Sequence, residues 1–246
     1  MLATSFDLFL KGALTIEQPV NGYRAGSDAV LLAAAAVSFE GHNMLEAGCG
    51  VGAVLLSLAH LRGDRDLTLH GLEKDSEVLS LAYRNQKANH LAAHIKFEQG
   101  DVLAPPNHLK GQFDLVFSNP PFFDDDRAIR DPLAARQGAY IIGAPLAAWI
   151  QSMLTMAKPK GRFLMIHRAD RLADILAALV SRAGDIGVFP VRPRAGEPAK
   201  RILISARKGS RAPLRLLEGL DMHPDAGLGR FSPAYQAICE GGRLSV

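Results

Sequence analysis

The apolar period of this chain keeps switching between that of a strand and that of a helix. Short apolar runs at residues 44–47, 67–72, 95–97, 113–118, 161–166, 188–191 and 202–206 have strand length. Between them, residues 53–61, 75–89, 146–157 and 171–181 read as helices, the second with an acidic start. Such alternation implies an α/β fold: a mainly parallel, seven-stranded sheet with helices on both faces and right-handed crossovers. At 246 residues with 48% hydrophobic side chains, the chain can bury one large core. Residues 27–37 form an Ala-rich helix for which Ser27 is the expected N-cap. Residues 1–26 form a segment ahead of the core, residues 124–143 a long polar loop, and residues 209–246 an extension without strong periodicity.

Charged residues make up 22% of the chain, an ordinary share for a globular protein. No apolar run reaches the length of a membrane span, and the start lacks a basic stretch followed by an apolar core, so a cytoplasmic location is expected. Cys49 and Cys239 are too few and too far apart for a disulfide framework, and Cys49, between glycines, reads as a small filler. The net charge is only +3, yet residues 158–215 hold fourteen Lys and Arg against four acidic residues. That local excess suits a polyanionic partner such as RNA, or simply a solvated basic surface.

Glycines 48, 50 and 52 stand between the first core strand and its helix, preceded by Glu46. A glycine turn in that place is a nucleotide-type site at the carboxyl end of a parallel sheet. Glu73 ends the next strand, where an acid can hold ribose hydroxyls. Asp101 and Val102 follow the third strand, and Asn119 the fourth. Glu46 beside the turn suits a cofactor with a cationic amino-acid end and repels one rich in phosphate.

The fourth strand runs into Asn119-Pro120-Pro121-Phe122. Two prolines stop a strand, since neither donates an N–H, and the first pushes Asn119 towards extended backbone. The product is a stiff strand end with an amide side chain, backbone carbonyls and an aromatic ring. These groups suit a planar substrate that carries an NH2 group; a rigid loop is the plainer reading of the tetrapeptide alone.

Together, Glu46-x-Gly48-x-Gly50-x-Gly52, Glu73, Asp101 and Asn119-Pro120-Pro121-Phe122 resemble the successive motifs of class I S-adenosylmethionine-dependent methyltransferases, a Rossmann-like fold. The flanking residues 23–32, 135–137, 166–172 and 199–203 resemble, more narrowly, bacterial valine-tRNA adenine-N6 methyltransferases. The resemblance implies a methyltransferase domain over residues 27–208, covered at its site by residues 1–26. It implies S-adenosylmethionine as cofactor, with Gly48, Gly50 and Gly52 facing the methionine part, Glu46 near its amino group and Glu73 on the ribose. Asp101 and Val102 would border the adenine, and Gly26 to Asp28 would cover the methionine end.

Asn119 and the Pro120 carbonyl would accept the two N–H bonds of an adenine N6 amine, with Phe122 stacked on the base and Phe123 structural. Arg136, Arg168 and Arg194 are the candidate phosphate contacts, although Arg168 can equally pair with Asp170. No metal is expected. Asp124-Asp125-Asp126 beside the turn, and Gln137 where relatives often carry histidine, leave the acceptor open. Alternatives are a protein glutamine, a guanine N2 amine, or a catalytically silent RNA-binding module. Oligomeric state is not readable.

Overall fold

The computed structural model describes residues 2–64, 66–91, 93–121, 144–224 and 230–246. The chain opens with an antiparallel hairpin, β1 (Thr4–Phe9) and β2 (Leu14–Pro19), in which Thr4 faces Pro19 and Phe9 faces Leu14. Helix α1 (Ser27–Ala36) follows. Gly26, not Ser27, is its N-cap: the Gly26 carbonyl accepts from Ala29 and Val30, and Ser27 is already helical.

The core then runs β3 (Asn43–Ala47), α2 (Ala53–Arg62), β4 (Thr68–Glu73), α3 (Ser76–Asn89), β5 (His94–Gln99) and β6 (Phe113–Ser118). It continues through α4 (Ala144–Met156), β7 (Ala157–Arg168), α5 (Leu172–Leu179), β8 (Ala183–Arg192) and β9 (Arg201–Lys208). Two-residue strands β10 (Arg215–Leu216) and β11 (Leu220–Asp221) and helix α6 (Pro233–Cys239) complete the described elements.

The main sheet has the order β5-β4-β3-β6-β7-β9-β8, with β10 and β11 added beside β8. All these pairings are parallel except those of β9, which runs antiparallel to both β7 and β8. The expected seven strands are thus present, one of them reversed. β7 and β8 start earlier than their apolar runs because each absorbs an irregularity, with Lys160 and Asp185 at positive φ and register shifts in the pairings to β6 and β9.

Period-2 side chains divide the core into two layers. On one face Met44, Leu115, Phe117, Leu164 and Ile166 pack with α1, α2, α3 and α6. On the other, Leu45, Val116, Phe163 and Met165 pack with α4 and α5. Fully burying a side chain such as Phe117 contributes roughly 1.5–3 kcal/mol.

Among the described residues, the first hairpin and the C-terminal stretch are both tied to the core. Asn85 of α3 grips β2 through both backbone groups of Glu17. Ser232 caps α6 by accepting from the Tyr235 N–H, Pro233 opens that helix, and Leu244 donates to the Ala34 carbonyl. Among the described residues no helix is long and apolar enough to cross a membrane.

Candidate active site

The order in which successive strands are added reverses at β3: β4 and β5 lie on one side, β6 and β7 on the other. At such a switch point the loops after adjacent strands diverge and leave a crevice. Glu46 is in register with Phe117, so the glycine turn and Asn119 leave the sheet side by side. Ser118 joins them, donating to the Ala47 carbonyl at 2.6 Å and accepting from the Trp149 indole at 3.0 Å.

The crevice is a cavity of about 520 Å³, within the range for small-molecule sites. Its walls include Glu46, Gly48, Gly50, Glu73, Asp101, Val102 and Asn119, with Trp149, Pro121 and residues of the 18–25 loop.

The turn is held open by its glycines and by Glu73. Gly48 has φ +73°, and a Cβ there would come within 2.9 Å of the Trp149 ring. Glu73 accepts from the Gly50 N–H with Oε2 and from the Asp75 N–H with Oε1, both at 2.9 Å. One carboxylate therefore fastens the turn to the end of β4, and each oxygen keeps a lone pair for a ligand. Asp75 caps α3 by accepting from Glu77 and Val78.

Glu46 is 2% exposed, and among the described residues its Oε2 has no hydrogen-bond partner. Burial pushes its carboxyl well above the usual range; the Leu55 backbone N–H opposes that, and the Glu73 charge adds to it. A buried carboxyl in this condition, lining a cavity, is complementary to a cation. Asp101 is held below its usual range chiefly by Lys74, at 2.8 Å. Burial raises the Cys49 thiol, helped by the charges of Glu46 and Glu73, which suits a filler better than a nucleophile.

Comparison with known proteins matches a family model, described as a methyltransferase domain, over residues 38–184. The chain belongs to that family. This methyltransferase is 31% identical over 247 residues to a Porphyromonas gingivalis protein named tRNA1(Val) (adenine(37)-N6)-methyltransferase, covering 95% of this chain and 94% of the relative. A Dickeya chrysanthemi protein of the same name is 28% identical over 229 residues, covering 91% and 88%. Among solved structures, a predicted O-methyltransferase from Agrobacterium tumefaciens superposes with a TM-score of 0.73 at 25% identity, covering 89% of this chain and 99% of that one. The enzyme is S-adenosylmethionine-dependent and has the Rossmann-like class I fold.

The methyltransferase brings together most, not all, of the residues singled out in its sequence. Glu46, Gly48, Gly50, Glu73, Asp101, Val102 and Asn119 share the cavity wall. Gly52 is not among the lining residues: a Cβ there would sit 2.9 Å from the Phe97 ring, so this glycine serves helix–sheet packing. Gly26 is occupied as the α1 cap, and Asp28 pairs with Arg201 at 2.9 Å beside a different, smaller cavity. Pro120 is buried, and Pro121 is the proline at the cavity wall.

Arg168 pairs with Asp170, the alternative weighed above, and Arg194 with Glu197. Phe122, Phe123, Asp124–Asp126, Arg136 and Gln137 lie outside the described residues. Two further residues line the cavity: Tyr23, which opens the flanking stretch 23–32 but was given no role there, and Trp149, which no motif included. Trp149, the only tryptophan in the chain, stands about one turn into the helix expected over residues 146–157, and that singularity carried a signal.

Proposed function

We propose that this methyltransferase modifies the exocyclic N6 amine of an adenosine in the anticodon loop of a valine tRNA, in the cytoplasm. The observation that carries the proposal is the convergence of Asn119, on its proline-stopped strand end, with Glu46, Gly50 and Glu73 in one cavity. The names of the full-length relatives support the same acceptor.

The cofactor fits what the chain offers. The unpartnered Glu46 oxygen would hold a cationic amino group, and the free lone pairs of Glu73 would hold ribose hydroxyls. Val102 and Asp101 line the same cavity and would border the cofactor's adenine. When bound, S-adenosylmethionine supplies a methyl group already activated by its sulfonium.

The residues of the chain then contribute alignment and charge handling. An aromatic amine is a poor nucleophile because its lone pair is shared with the ring. Asn119 Oδ1 and the Pro120 carbonyl accept its two N–H bonds, bending the nitrogen towards sp3 and localising the pair. Positive charge growing on nitrogen strengthens both bonds, so these acceptors favour the transition state over the ground state. A single-stranded loop can turn its base out at low cost, and stacking on that base is the role the resemblance implies for Phe122.

Phosphate contacts come from the basic half, in competition with its own carboxylates. Arg168, Arg192, Arg194 and Arg201 each have an acidic partner. Surface pairs of this kind are worth about 0–1 kcal/mol, so a phosphate can displace them.

The test is to supply labelled S-adenosylmethionine with bulk tRNA, rRNA and protein extract and map the product. Label on N6 of adenosine in tRNA is the expected result. Label entering only protein would sink the proposal and favour a glutamine side chain as acceptor.

A further inference from the structure

The pairing of β3 with β6 ends at Glu46–Phe117. Two residues further on, the chain has reached Gly48 on one side and Asn119 on the other. A side chain spans the two turns at their roots: the Ser118 hydroxyl donates to the Ala47 carbonyl at 2.6 Å. Ser118 is fully buried and is not a wall of the cavity, so it acts on a ligand only through its neighbours.

A serine hydroxyl can turn among three staggered positions. Here both of its bonds have a forced direction. A carbonyl only accepts and an indole N–H only donates. Trp149 Nε1, donating at 3.0 Å, therefore occupies a lone pair of Ser118 Oγ, and the single hydroxyl proton goes to Ala47. The Trp149 ring meanwhile faces the donor side: it lines the cavity, and a Cβ on Gly48 would meet it at 2.9 Å. Three residues on, Ser152 of the same helix donates to the Val102 carbonyl. Helix α4 is thus fixed to the loop after β5 and reaches both turns through Trp149.

We infer that Ser118 and Trp149 are the positioning pair of the methyl transfer: the indole holds the hydroxyl, and the hydroxyl sets the gap between the glycine turn and Asn119. The inference rests on the reading of Asn119 as an N–H acceptor given above. The two turns do not depend on the pair equally. The Gly48 and Cys49 N–H groups both donate to the Leu72 carbonyl and that of Gly50 to Glu73, so the glycine turn is fastened from the β4 side as well. Asn119 instead leads into two prolines, which donate no N–H. Loss of the pair therefore displaces the acceptor turn and spares the cofactor seat.

The experiment compares the wild-type chain with Ser118→Ala, which removes the hydroxyl and leaves the indole wall in place. The chain has one tryptophan, so its indole N–H gives one identifiable resonance in 15N spectra. That resonance shifts in Ser118→Ala, and in the wild type it shifts when S-adenosylmethionine is added. Both readings need no acceptor, so they stand if the wild type fails to methylate tRNA, the outcome that would instead defeat the proposed function. Turnover is read on whichever amine the wild type methylates. Ser118→Ala lowers kcat at least about fivefold, with affinity for S-adenosylmethionine, by titration calorimetry, within about threefold. Ser118→Cys, which keeps a weak donor of similar size, falls between the two and serves where Ser118→Ala does not fold. Trp149→Phe, which removes the indole N–H, costs less kcat on the Ser118→Ala background than on the wild type, because its target hydroxyl is gone. An indole resonance unshifted in either condition, a smaller loss of kcat, an equal loss of kcat and cofactor affinity, or additive losses in the double variant overturns the inference.

Discussion

Glu73→Gln changes a single atom of the site, yet its effect should be twofold. In the wild type the two carboxylate oxygens each accept a backbone N–H, from Gly50 and from Asp75, both at 2.9 Å. Glutamine has one oxygen, so whichever way its amide turns, one of those N–H groups faces an NH2. The loss is one charge-assisted bond, about 1.5–3 kcal/mol when buried, reduced here to about 1–2 kcal/mol because the site is partly exposed. For a domain of this size each kcal/mol moves Tm by about 2–4 °C, so the cofactor-free variant should melt roughly 2–8 °C lower.

The same substitution removes a charged acceptor for ribose and loosens Gly50, and a loss of about tenfold or more in S-adenosylmethionine affinity follows. Scanning calorimetry without cofactor reads the first effect and titration calorimetry the second. A variant that melts within about 1 °C of wild type refutes the turn-fastening role even if affinity falls. A variant that also binds within about twofold removes Glu73 from the site altogether.

The other sites give three further expectations. Asn119→Ala should lower kcat at least tenfold with little change in cofactor affinity; turnover within about threefold of wild type, less than 1 kcal/mol, would remove the catalytic role. Glu46 is raised by burial in the cofactor-free chain, and a bound ammonium favours its carboxylate, so binding should release a proton and tighten as pH rises. Titrations in buffers of different ionisation enthalpy read this directly, and an enthalpy independent of buffer contradicts it. Burial lowers the His167 imidazole to about 4, against the opposing Arg168 backbone hydrogen bond. The unfolded chain therefore takes up a proton that the fold refuses. This contribution to stability is complete above the unfolded value of 6.5 and is lost as pH falls towards 4, by up to about 3 kcal/mol. Denaturant melts near neutrality and at about pH 5 should converge more closely for His167→Gln than for the wild type.

The parts of the fold that were legible in the residues are those where one local pattern decides the structure. Strand and helix periods, the glycine turn and the proline stop each act within a few residues, and the carboxyl ends of parallel strands must lie together once the alternation is read. What was not legible depends on partners far away in the chain. The β1–β2 hairpin hides its signal because Phe6 and Leu8, its conspicuous apolar residues, point outward at 70% and 72% exposure, while the buried Gln18 does the anchoring. The reversed direction of β9 is carried by its pairing with β7 and β8, not by its own side chains. The basic half reads as a local excess of positive charge when charge is counted along the chain, and that count leaves out acids brought in from elsewhere. Asp28, Asp114 and Asp221, all outside that segment, reach Arg201, Lys158 and Arg192 in space.

The same distinction explains why Asn119-Pro120-Pro121-Phe122 is informative as a motif but incomplete as a site. The prolines end β6 without help, and the register of β3 with β6 delivers Asn119 to the glycine turn. Neither settles how the amide is turned, since a strand end fixes a Cα position and leaves the terminal torsion free. The structure sets the Asn119 amide against the Tyr23 hydroxyl, ninety-six residues away in the chain and tied through Arg24 and Gln18 to a hairpin outside the main sheet. A proline-stopped strand end delivers Asn119, and a second element supplies a partner for its amide. Here residues 18–25 supply that partner and a cavity wall at once.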